Sequence, residues 1–175
     1  MNSQEQGGGK GPQYDPGAPF QPIQIIALAL IQGVVVFGAI AVFVGLQGGG
    51  PDDETIMPAI AAAVAGFAAV ARFAVAPTIG SQMTARVRGD ADLKDEQALQ
   101  NALYGVFQTR TIIEDAILEG AAFLTLIAFM MSKQWWLLGV TGGLLVLMAV
   151  FFPTRGRIES FINEQKQHIE FEVEP

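Results

Sequence analysis

Residues 22–46 read PIQIIALALIQGVVVFGAIAVFVGL, 25 positions without a charged side chain. About 20 consecutive apolar residues suffice for a helix to cross a hydrocarbon core, so this stretch predicts a membrane-crossing helix. Three further apolar stretches follow. Residues 56–76 are alanine-rich and interrupted only by Arg72; residues 116–131 need a few preceding residues for full length; residues 135–152 are 18 positions without a charge. Polar residues gather in the first 21 positions, in 47–55, in 81–115 and after 152. The expected fold is therefore all-α, a polytopic membrane protein with four transmembrane helices arranged as two helical hairpins, residues 22–80 and 116–156. Residues 1–21 form a disordered cytoplasmic tail, 81–115 a cytoplasmic linker and amphipathic helix, and 157–175 an acidic cytoplasmic tail.

Composition points the same way. Of 175 residues 51% are hydrophobic and only 15% charged, with a mean hydropathy of +0.38, against about 25% charged in an ordinary soluble domain. A net charge of −7 speaks against a broad basic surface for nucleic acid or anionic lipid. Cysteine is absent, which removes disulfides, thiolate catalysis and cysteine metal sites. The lone His168, in a charged tail, makes neither a metal site nor a triad. No metal and no cofactor are expected.

The first stretch outruns the ~7–15-residue apolar region of a signal peptide, and only Lys10 is basic before it, so it is expected to remain as an anchor. Lys and Arg set the orientation. With four spans, one side holds Lys10, Arg86, Arg88, Lys94, Arg110, Arg155, Arg157 and Lys166, and the other only Lys133 with the acidic run Asp52-Asp53-Glu54. Both termini and the middle segment are thus expected in the cytoplasm, with Trp135 and Trp136 at the outer interface and Tyr104 near the inner one. Architecture and the absence of a targeting peptide point to a bacterial inner (plasma) membrane.

Gly48-Gly49-Gly50-Pro51 makes a tight outer connection, and Asp52-Asp53-Glu54-Thr55 with Pro58 is helix-start chemistry. A divalent-cation site is the alternative there, though consecutive carboxylates do not converge on one face. In the middle segment Leu99, Leu103, Val106, Ile113 and Ile117 recur at steps of three, four or seven, an apolar helix stripe. One unbroken helix from Leu93 to Met131 is predicted, a long cytoplasmic extension of the third span, roughly 55–60 Å at 1.5 Å per residue. Its stripe, through Leu99, Leu103 and Val106, needs a partner: a second copy, another membrane-complex protein, or the chain's own C-terminal segment. Residues 157–167 can also be helical, with Ile158, Phe161 and Ile162 on one face. Beyond them Ile169, Phe171 and Val173 alternate with Glu170, Glu172 and Glu174, the pattern of a strand or an extended or frayed tail.

The halves resemble each other. A shift of 87 sets Leu30-Ile31-Gln32-Gly33 beside Ile117-Leu118-Glu119-Gly120, with six identities in 19 positions over 25–43. Pro77-Thr78-Ile79-Gly80 parallels Pro153-Thr154-Arg155-Gly156. The pattern is a candidate parallel repeat about the membrane normal, and the prolines equally suit helix ends.

Ionisable groups inside spans are costly and hence suspect. Glu119 lies 13 residues from Ser132, about 20 Å along a helix; Gln32 lies at similar depth on the first span, and Arg72 lies five residues before Pro77. Gln32, Arg72 and Glu119 are expected to form one intramembrane polar cluster. It acts either as a structural lock, with Glu119 paired to Arg72 and bonded to Gln32, or as a proton or cation site at Glu119. Ala61, Ala65 and Ala69 on the second span, and Gly139 and Gly143 on the fourth, are candidate close-packing faces within the bundle or between copies.

Arg110-Thr111-Ile112-Ile113-Glu114-Asp115-Ala116-Ile117-Leu118-Glu119-Gly120-Ala121-Ala122, continuing to Leu126-Ile127-Ala128-Phe129, resembles the carboxylate-bearing helix of ATP synthase subunit c. The resemblance covers about 20 of 175 residues and implies an ion-carrying role for Glu119. That family's glycine-repeat helix and its short Arg-Gln-Pro loop are missing. As a whole the chain resembles small bacterial membrane proteins built from a duplicated helical hairpin. The expected function is non-enzymatic, a scaffold or assembly subunit, with a proton- or cation-conducting subunit as the alternative. A membrane enzyme would have only Glu114, Asp115 and Glu119 to work with.

Overall fold

The computed structural model describes the backbone of residues 15, 17–18, 21–47, 56–90 and 96–173, and side chains within these except 75–77, 79–81, 83–90, 96 and 168–173. The rest of the N-terminal tail, the 48–55 connection with its acidic run, Leu93 and Lys94, and the side chains of Arg86, Arg88 and His168 lie outside the described residues. Pro22 opens α1 (Pro22–Gln47) at a position where its missing N–H costs nothing. Then follow α2 (Ile56–Asp90), α3 (Glu96–Ser132), α4 (Trp136–Val150) and α5 (Arg155–Val173), with no strand among the described residues.

α1 and the Ile56–Ala74 part of α2 are long and apolar enough to cross a membrane. Large apolar side chains stand exposed along both, among them Phe43 and Leu46 on α1 and Phe67 and Val70 on α2. α4 and Arg155–Gln167 of α5 pass the same test only as a pair bent by 60°. Hydroxyls on the apolar helices bond to their own backbone: Thr125 donates to the Ala121 carbonyl at 2.8 Å, Ser132 to Ala128 at 2.8 Å and Thr141 to Leu137 at 3.2 Å. Each polar group is thereby satisfied without water.

α3 is the central column and packs against each of the other four helices. Its 37 residues run unbroken for about 55 Å, as its periodicity predicts. Around its upper half, toward the α4 turn, Leu118, Leu126 and Phe129 pack with Val34 and Ala41 of α1, Ala61, Ala65 and Ala68 of α2, and Leu137, Leu144 and Met148 of α4. Around its lower half, Leu99, Leu103 and Tyr104 pack with Ile23 of α1 and Ile158 and Ile162 of α5. Phe107 and Phe161 meet at 5.3 Å beside this second core.

Several expectations are corrected by this arrangement. The stripe through Leu99, Leu103 and Val106 is buried within the chain, with α5 over Leu99 and Leu103, so it is no surface for an outside partner. Tyr104 is fully buried in the lower core. The backbone of residues 169–173 is helical, not extended, because adding residues to an existing helix is far easier than starting one. α2 passes through Pro77 to Asp90; proline there forfeits one backbone hydrogen bond, while Thr78 Oγ1 donates to the Ala74 carbonyl at 3.1 Å. Pro153, by contrast, lies between α4 and α5, so the two Pro-Thr motifs occupy unlike positions.

The small-residue faces also differ from expectation. Ala61 and Ala65 are buried against α3, but the next buried position is Ala68, and Ala69 is half-buried. Two successive four-residue steps drift about 80° around a 3.6-residue helix, whereas a step of seven returns to within about 20°. Gly139 and Gly143 point outward with open space around them, because α4 turns Leu137, Thr141, Leu144 and Met148 inward. Close glycine contacts occur instead on α1, where Gly38 faces Leu126 and Gly45 faces Phe129.

Candidate functional site: a buried charged belt between two cores

The buried α2 stripe Pro58, Ala61, Ala65, Ala68 and Arg72 alternates steps of three and four, one helix face. Its small side chains let α2 lie close to α3, and the last position is an arginine. Arg72 is only 4% exposed. Its Nη1 donates to Asp115 Oδ1 at 3.1 Å and its Nη2 lies 3.3 Å from Glu114 Oε2. Arg110, one turn before Glu114 on α3, donates from Nε to Glu114 Oε1 at 2.7 Å. Two guanidinium groups thus face two carboxylates, and the four charges cancel. Removing charges from water is tolerable only with such pairing and hydrogen bonding.

Other helices close on the same level. The Arg72 guanidinium carbon stands 4.5 Å from the centre of the Phe151 ring, with Arg157 of α5 at 5.4 Å from that ring. Both distances suit cation–π attraction. Phe73 packs edge-on against Phe151 at 5.9 Å. On α1, the buried Gln24 donates from Nε2 to the Pro153 carbonyl at 2.9 Å, and its Oε1 accepts from the Gln21 backbone N–H at 3.3 Å. All five helices therefore meet in a belt between the two apolar cores. Along the buried face of α3 the order is Leu99, Leu103 and Val106, then the charged Glu114 and Asp115, then Leu118, Leu126 and Phe129.

The expected trio of Gln32, Arg72 and Glu119 is not assembled. Arg72 pairs with Glu114 and Asp115, while Glu119 faces α1, its Oε1 3.4 Å from where a Cβ on Gly33 would stand. Gln32 is exposed on α1. Pro77 does not mark the depth of Arg72, because α2 does not end there. Phe151 is the better marker, since its ring lies under the Arg72 guanidinium and it caps the C-terminal end of α4. The i, i+4 spacing of Arg110 and Glu114 is the signal in sequence for their pairing. Glu114 and Asp115, the residues available to an enzyme reading, are both engaged by arginine. Among the described residues no group of three or more His, Asp or Glu side chains could hold a metal ion.

No family model matches the sequence, no curated protein is similar to it, and no solved structure matches the fold.

Proposed function

We propose that this chain is a non-enzymatic integral membrane protein, a scaffold or assembly subunit whose helices cross the bilayer four times and hold a cytoplasmic helical module. The crossings are α1, the upper part of α2, the upper part of α3, and α4. The observation that carries this reading is the belt. Its charges are mutually neutralised between the upper core, around which large apolar side chains stand exposed, and the lower one, as expected at a membrane boundary. α2 and α3 pass through it without a break, so the cytoplasmic part is rigidly joined to the anchor. Basic residues at and below the belt, including Arg157, Arg155 and Lys166, against Lys133 alone above it, support a cytoplasmic location for that part.

A second reading is favoured by one observation. Glu119 has neither an ion pair nor a hydrogen bond among the described residues, and its neighbourhood resembles an ion-carrying helix. A proton- or cation-conducting subunit would use this carboxyl. Purified protein reconstituted in liposomes separates the two. The scaffold reading expects no proton or monovalent-cation flux above protein-free vesicles, for the parent or for Glu119→Gln. Flux in the parent that vanishes in a folded Glu119→Gln variant would replace it with the conducting subunit.

A further inference from the structure

On the flank of α1 lies an open groove of about 500 Å³, lined by Gln32, Gly33, Val36, Phe37, Ile40 and Phe123. Val36 and Ile40 are about half exposed at its rim, and Phe37 meets Phe123 edge-on at 5.2 Å. Glu119 lies one helical turn below Phe123. Gly33 carries no side chain at the point where Glu119 Oε1 and Phe123 approach, 3.4 Å and 3.9 Å from an ideal Cβ. Glu119 does not line the groove itself; its carboxyl lies against Gly33, which does, at a point where any larger residue would stand between the two.

The charges near Glu119 are already committed. Arg72 is held by Glu114 and Asp115, and Arg110 by Glu114. A carboxylate in apolar surroundings attracts a counter-charge, because little water is there to stabilise it. We infer that the groove binds a lipophilic organic cation, with its charge at Glu119 and its apolar body along Val36, Ile40 and Phe123. The Gln32 amide supplies one polar contact, and the rings of Phe37 and Phe123 favour a positive charge at their faces. Two side-chain groups fall short of the six or more oxygens that a calcium ion takes, so a weakly hydrated organic cation is the better match. Being open along its side, the groove admits a ligand that itself dissolves in lipid. The inference goes beyond the scaffold reading and rests only on its membrane placement of α1 and α3.

The test is equilibrium binding of radiolabelled tetraphenylphosphonium to the full chain in lipid nanodiscs, with empty nanodiscs as the partition control. Saturable binding is expected, displaced by tetraphenylarsonium and not by neutral triphenylphosphine oxide. Glu119→Gln should weaken it by roughly tenfold or more, as loss of a close charge contact does. Val36→Trp, on the exposed rim, should weaken binding while leaving the circular dichroism unchanged, and it carries the test if Glu119→Gln does not fold. Three results would overturn the site: no saturable binding, equal binding by a folded Glu119→Gln, or equal competition by the neutral compound. Failure to bind by a chain that still inserts into nanodiscs would refute the groove and leave the membrane reading standing.

Discussion

Replacing Arg72 with methionine tests the belt most sharply. The change keeps much of the side-chain volume and removes both contacts, to Asp115 at 3.1 Å and Glu114 at 3.3 Å. Glu114 retains Arg110 at 2.7 Å, so the charge left without a partner is that of Asp115. Stranding one member of a buried ion pair costs about 3–5 kcal/mol. The lost contact with Phe151 contributes ~0.5–2 kcal/mol within that range. Asp115→Asn leaves Arg72 with Glu114 and an amide oxygen, and should cost only about 1–2 kcal/mol. Adding Asp115→Asn to Arg72→Met removes the stranded charge, so the double variant should be more stable than Arg72→Met alone, which requires a coupling larger than the Asp115→Asn cost itself, ~2–3 kcal/mol. Unfolding in mixed dodecylmaltoside–SDS micelles, followed by circular dichroism, measures all three. A loss below about 1 kcal/mol for Arg72→Met, or additive effects in the double variant, would refute the belt as a lock.

Other positions give contrasting expectations. Gly45→Leu places a Cβ 2.9 Å from the ring of the buried Phe129 and should destabilise by ~1–3 kcal/mol in the same unfolding assay. Gly143→Leu meets open space and should stay within about 0.5 kcal/mol of the parent; a large loss of folded monomer would show that this face is covered. Leu103→Ala empties a fully buried site under α5. It should cost ~2–5 kcal/mol, and hydrogen exchange should quicken in α5; unchanged protection would mean α5 does not depend on the lower core.

The helical class and the long third helix were legible in sequence because each rests on a local pattern. An uncharged run marks an apolar helix, and the spacing of Leu99, Leu103, Val106 and Ile113 marks a single stripe on a helix over 93–131. That the stripe wanted a cover was legible as well. Choosing among a second copy, a foreign protein and the chain's own Ile158–Ile162 face was not, because such faces look alike in one dimension. The partners of Arg72 were hidden for a different reason. A depth counted from Pro77 rests on the rule that proline ends helices, and α2 continues helical through Pro77 to Asp90. Gly139 and Gly143 show the limit of motif reading, since their face points outward when the heavier side chains of α4 take the core. Gly33, Gly38 and Gly45 follow no regular spacing and so form no motif, although α1 approaches α3 through them.

The central claim is that the chain crosses a bilayer four times with the belt at its cytoplasmic boundary. Since cysteine is absent, single cysteines can be placed one at a time and labelled with a membrane-impermeant maleimide in right-side-out vesicles. Gln47→Cys and Lys133→Cys should label from outside, and Gln97→Cys and Glu159→Cys only after the vesicles are opened. Val36→Cys and Phe67→Cys, exposed on the protein but facing lipid, should resist in both conditions. Labelling of Lys133→Cys and Glu159→Cys from the same side would contradict the account, because α4 would then not cross.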